Sequence, residues 1–116
     1  MNQDFCFQQL KVYQQAKAVL ALVVAHRELF RGLPGEVAGQ MHRAAVSTAL
    51  NIAEGAGRVS AADQRRHYQI ALGSANEVAA CAEIAELHGV AALVVAEMLE
   101  RLAHVVRMLL AMCRPR

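Results

Sequence analysis

The sequence predicts an all-α fold, an antiparallel up-down-up-down bundle of four helices. Three observations carry the prediction. The chain is 56% hydrophobic but only 4% aromatic, with no Trp. Alanine, which favours helix and lets helices approach closely, occurs 23 times. The β-branched residues are scattered among Ala and Leu and do not alternate with polar residues as a half-buried strand requires. A length of 116 residues suits one domain, residues 1–116.

The elements follow in order. A first helix is expected over residues 8–31, ended by the turn chemistry of Gly32-Leu33-Pro34-Gly35. A second is expected over 36–56, with Gly55 and Gly57 available for its C-terminal cap. Ser60 and Asp63 form a capping-box-like start for the third, which should reach His88 before Gly89. The fourth is expected over 91–112, before Pro115. Long helices joined by short turns make sequential neighbours antiparallel.

Composition narrows the setting. Cys6, Cys81 and Cys113 are odd in number and form no Cys-x-x-Cys, so they read as reduced small residues of a cytoplasmic protein. The start lacks the basic-then-apolar order of a signal peptide. The longest apolar run covers residues 18–25, whereas about 20 residues are needed to cross a bilayer.

The second helix carries an unusual row. Gln40, Arg43, Ser47, Asn51, Glu54 and Arg58 recur at steps of three or four, on one face, among Ala44, Ala45, Val46, Leu50, Ile52 and Ala53. Facing it on the third helix are expected Ser74 and Glu77. The row reads as a buried polar network that fixes helix register, with Arg43–Glu77 and Arg58–Glu54 as candidate charge pairs. The five histidines read as surface or helix-end residues.

The segment from Arg43 to Gly55 resembles the signature Arg-Arg-Ala-Ala-Val-Ser-Ile-Pro-Ala-Asn-Ile-Ala-Glu-Gly of the 23S rRNA intervening-sequence proteins. Accessory proteins of diversity-generating retroelements are relatives of that family. Leu10-Lys11-Val12-Tyr13-Gln14-Gln15-Ala16 is similar to its first-helix opening, and Ala71-Leu72-Gly73-Ser74-Ala75-Asn76-Glu77 to its third-helix segment. One position departs: the proline inside the second helix is Ala49 here, which implies a straighter helix. The resemblance implies a four-helix bundle assembled as a pentamer, with a poorly defined biochemical role.

Pattern also points to self-association. The run 18–25 is apolar on every side, and in the fourth helix the polar residues Glu97, Glu100, Arg101, His104 and Arg107 form a narrow stripe. A helix apolar all round must bury its remaining faces. A homo-oligomeric ring using the first and fourth helices is expected.

Signatures of catalysis are missing from the sequence. Glu-x-x-His pairs, which a di-iron bundle needs, do not occur. The two glycines of Glu54-Gly55-Ala56-Gly57-Arg58 follow a helix, so they lack the strand context of a phosphate loop. A non-enzymatic chain without cofactor or metal is expected. The alternative is a small-molecule- or metal-binding bundle with a site in the polar seam.

Charge is polarised once the topology is assumed. One end collects Lys11, Lys17, Arg58, Arg65, Arg66, Arg107, Arg114 and Arg116 against Asp4, Glu54 and Asp63, a balance of +5 within a formal net charge of only +2. A ring of aligned subunits multiplies that surface. Lys11, Lys17, Arg58, Arg65, Arg66, Arg114 and Arg116 are therefore the candidate contacts for RNA or DNA phosphates, or for an acidic or nucleic-acid-handling protein. Few aromatics accompany them, Tyr13 and Tyr68 being the candidates, so base stacking is not expected. The reading is a scaffold or adaptor.

Overall fold

A computed structural model of the chain describes residues 5–115. Among them the regular structure is entirely helical. A 3-10 turn over Cys6–Gln9 precedes α1 (Lys11–Ala25), α2 (Arg27–Arg31), α3 (Val37–Ala56), α4 (Ala61–Leu87) and α5 (Ala92–Met112). Four helices close a cycle: α1 packs on α3 and α5, and α4 packs on the same two. Short α2 lies against α3.

The expected first helix is divided. Its start is a 3-10 turn because the aromatic residues fold back on one another. Phe7 meets Tyr13 edge-on at 4.8 Å and stacks on Phe5 at 5.9 Å, and Leu10 is extended between the two helical pieces. A second break falls at His26, where the Arg27 guanidinium donates to the Val24 carbonyl at 2.8 Å. Neither Gly nor Pro marks this break in the sequence. It delivers Phe30 from α2 into the core.

Each long helix contributes a stripe at helical spacing. Val12, Ala16, Val19 and Val23 of α1 meet Met41, Ala44, Ala45, Thr48, Ala49 and Ile52 of α3 and Val95, Met98, Leu102, Val105 and Leu109 of α5. Full burial of side chains such as Leu102 or Met98 stabilises the fold by about 1.5–3 kcal/mol each. Thr48 is tolerated in this core because its hydroxyl donates to the Ala44 carbonyl at 2.8 Å, leaving no unpaired polar atom. Alanines Ala71, Ala75, Ala82 and Ala85 with Val78 line the buried face of α4. α3 runs unbroken through Ala49, as the loss of proline requires.

The helix ends follow local chemistry. Ser60 Oγ accepts from the Asp63 backbone N–H at 3.1 Å and starts α4. Gly89, at φ +96°, adopts the left-handed conformation that ends α4, and Gly35 at φ +63° precedes α3. The expected cap at Gly55 is a correction: Gly55 lies inside α3, buried, and Gly57 caps it with an ordinary right-handed φ of −90°. Gly55 serves packing instead. A β-carbon there would stand 2.6 Å from Tyr68 Cε1.

The apolar character of the first and last helices is only partly absorbed by the core. Leu22 packs against it, but Val24 in α1 and Leu93 and Leu110 in α5 stay exposed, Leu93 by 86%. Among the described residues no helix is long and apolar enough to cross a membrane.

Candidate nucleic-acid interface

The polar row of α3 meets α4 as a chain of hydrogen bonds. Ser47 Oγ and Ser74 Oγ lie 2.8 Å apart. Asn51 Nδ2 donates to the Ser47 carbonyl at 2.9 Å and to Ser47 Oγ at 3.2 Å. That fixes the amide so that Asn51 Oδ1 faces His67 Nδ1, at 3.1 Å. Glu54 Oε2 faces the same nitrogen at 3.4 Å. A hydrogen on Nδ1 serves both acceptors, and Nε2 lies 3.2 Å from Arg66 Nη2.

His67 is the member of this seam that sequence reasoning missed. It was expected at the surface and is 5% exposed. Its spacing of seven from Ser74 places both on one face of α4, the signal that identifies it.

Two expected charge pairs do not form. Arg43 does not meet Glu77. Its guanidinium lies over Gly39, where a β-carbon would come within 3.1 Å, and approaches Glu36 at 3.9 Å. Glu77 is exposed. Arg58 does not meet Glu54 either, because the chain has left the helix at Gly57. It turns to Asp63 in the first turn of α4, 3.7 Å away.

A shallow hollow of about 380 Å³ flanks the seam, lined by His42, Arg43, Val46, Ser47, Leu50, Asn51 and Glu54. All belong to α3, so it is the outer surface of one helix. Glu54, with its side chain 52% exposed, is engaged by His67. Among the described residues no group of three or more His, Cys, Asp or Glu is placed to hold a metal ion.

The basic candidates divide into three settings. Lys11 and Lys17 are exposed on α1 without an ion pair among the described residues. Arg58 and Arg66 share Asp63, Arg66 at 3.2 Å. Arg65, one position away and rotated about 100° round the helix, turns from that network. It lines a hollow of about 190 Å³ with Ala61, Gln64, Tyr68, Met112 and Arg114. The adjacent Arg65 and Arg66 therefore serve different surfaces. Arg116 and Asp4 lie outside the described residues.

The start of the chain reaches the same region. Cys6 Sγ approaches the Ala56 carbonyl at 3.7 Å. The Cys6 and Cys113 thiols, after burial, are what raise the pKa of Tyr68 above its ordinary 10.0. The first turn, the end of α3, the start of α4 and the end of α5 are thus gathered around one tyrosine.

A comparison with curated proteins finds no match to the chain. The 23S rRNA-intervening sequence protein family matches it over residues 8–111, nearly its whole length, and takes in both the seam and the start of α4. The chain belongs to the 23S rRNA-intervening sequence protein family.

Proposed function

We propose that the chain is a non-enzymatic cytoplasmic scaffold or adaptor, a single domain that binds RNA or DNA phosphates through its basic end. One observation carries the reading. Lys11, Lys17, Arg65 and Arg114 meet no carboxylate among the described residues, while Asp63 is shared by Arg58 and Arg66 and Glu54 faces His67. The positive charge that remains is therefore free to meet phosphate.

The reading takes the fold to be an up-down-up-down bundle. The order of pairing, Ser47 with Ser74 and Asn51 with His67, supports antiparallel α3 and α4. The connection between them, residues 57–60, is short. Exposed Val24, Leu93 and Leu110 support a homo-oligomeric ring built through α1 and α5. The pentamer implied by family resemblance would place the basic ends side by side.

The test is an anisotropy titration of RNA and DNA at two salt concentrations, beside a Lys11→Glu/Lys17→Glu variant. Phosphate contacts release counterions, so affinity should fall steeply with salt and depend weakly on sequence. The double reversal should weaken binding with the fold intact, since both lysines are exposed. No binding by the wild type at low salt would return the adaptor reading to protein partners.

A further inference from the structure

Arg65, near the middle of the sequence, and Arg114, near its end, line one hollow. Neither has a carboxylate partner among the described residues. Two guanidinium groups on one hollow without a carboxylate give it a positive local field, which suits an anion. Tyr68, a residue only 8% exposed, lines the same hollow. One edge of its ring is pressed against Gly55. Its hydroxyl has no hydrogen-bond partner among the described residues. No sealed side-chain nitrogen or oxygen is left unpaired, so the hydroxyl reaches solvent, and Tyr68 lines the hollow.

We infer that this hollow holds a single phosphate group, with the Arg65 and Arg114 guanidinium groups and the Tyr68 hydroxyl donating to its oxygens. Arginine suits the role because its planar fork matches two phosphate oxygens at once. Burial, followed by the Cys6 and Cys113 thiols, favours the protonated phenol, so Tyr68 offers a donor and no negative charge. Ala61 belongs to the lining and begins the 27-residue α4, whose first N–H groups add positive partial charge. The hollow, about 190 Å³, has room for a tetrahedral oxyanion.

That the phosphate is one unit of a nucleic-acid backbone rests on the function proposed above; the hollow's affinity for the group does not. Inorganic phosphate is the first probe, titrated into the full-length protein and followed by amide and arginine side-chain NMR shifts. Saturable shifts are expected over residues 61–68 and at Arg114, lost in Arg65→Gln/Arg114→Gln. Tyr68→Phe should weaken phosphate binding about tenfold, since it removes one hydrogen bond to a charged group. Thermal melts of the variants separate this from misfolding. Lys11→Glu/Lys17→Glu should leave phosphate binding in place.

Unlabelled RNA is the second probe, and it should displace the bound phosphate. Shifts that never saturate, or that survive the double arginine variant, overturn the site. Phosphate binding as expected with no competition by RNA overturns the nucleic-acid source of the anion while the oxyanion site stands, and the function proposed above is then decided by its own RNA and DNA titration. Unchanged affinity in a folded Tyr68→Phe removes the tyrosine from the site.

Discussion

The Tyr68 ring occupies the space where a β-carbon of residue 55 would stand: a carbon built on Gly55 lies 2.6 Å from Tyr68 Cε1 and 2.9 Å from Cδ1. His67 Cβ is 3.1 Å from the same point. The approach of α3 to α4 at this point depends on the missing side chain.

Gly55→Ala should therefore destabilise the protein. Helix propensity favours alanine by about 1 kcal/mol, but overpacking a buried contact costs about 1–3 kcal/mol. A lower melting temperature is expected. Gly57→Ala is the control, because its nearest atom is the Glu54 carbonyl oxygen at 3.6 Å and its φ is right-handed. It should melt no lower than wild type. Equal effects at both positions would remove the steric explanation.

The seam should be structural, with unequal members. Asn51→Ala takes the partners of Ser47 and of the buried His67 at once, and a loss of about 1–3 kcal/mol is expected by chemical denaturation. Glu54 is half exposed and should matter less, about 0–1 kcal/mol for Glu54→Ala. A folded, equally stable Asn51→Ala variant that no longer binds nucleic acid would make the seam functional.

Alkaline pH should weaken the fold. Burial and then the charge of Glu77 raise the pKa of Cys81 above its ordinary 9.0. Burial alone raises that of Cys113. For an acid whose folded pKa is raised, the unfolded chain ionises first. Stability is therefore complete below the unfolded value and falls as pH climbs through the folded one. Melting temperature should decline as the pH passes about 9, and Cys81→Ala should flatten the decline. The buried Cys81 thiol should also react with an alkylating reagent more slowly than exposed Cys6.

Self-association should show in solution mass. Light scattering should give a multiple of 12.6 kDa at low concentration. Leu93→Glu and Leu110→Glu, at exposed positions of α5, should reduce that mass with helicity unchanged. Leu22→Glu should instead lower the melting temperature, because Leu22 packs against the core. A wild-type mass of 12.6 kDa would sink the ring.

How far the sequence discloses this molecule depends on the range of the interaction. α3, α4 and α5 begin and end within a residue or two of their predicted limits, since caps, glycines and periodicity are local. The break at His26 was not legible: no residue type demands it, and packing of Phe30 is what it serves. Ser47–Ser74 follows from helical rows alone. Arg43 and Arg58 went elsewhere because a long, exposed guanidinium takes whichever carboxylate its local backbone brings near. The pairing of Arg65 with Arg114 needs α4 and α5 in place, so no local pattern announces it.

The order in which these contacts can form follows from the same packing. The broadest helix contact, α3 with α4, joins segments separated only by residues 57–60, whereas α1 meets α5 across most of the chain. Contacts close in sequence close their loops at little entropic cost and tend to form early. The α3–α4 hairpin, with Asn51 already on His67, is thus the natural nucleus, a hypothesis that φ-values at Ala75 and Val105 would test. The Arg65–Arg114 hollow exists only after α5 has docked. Its capacity to take an anion becomes a reporter of completed folding, and a bound phosphate would act as a latch on the last helix to arrive.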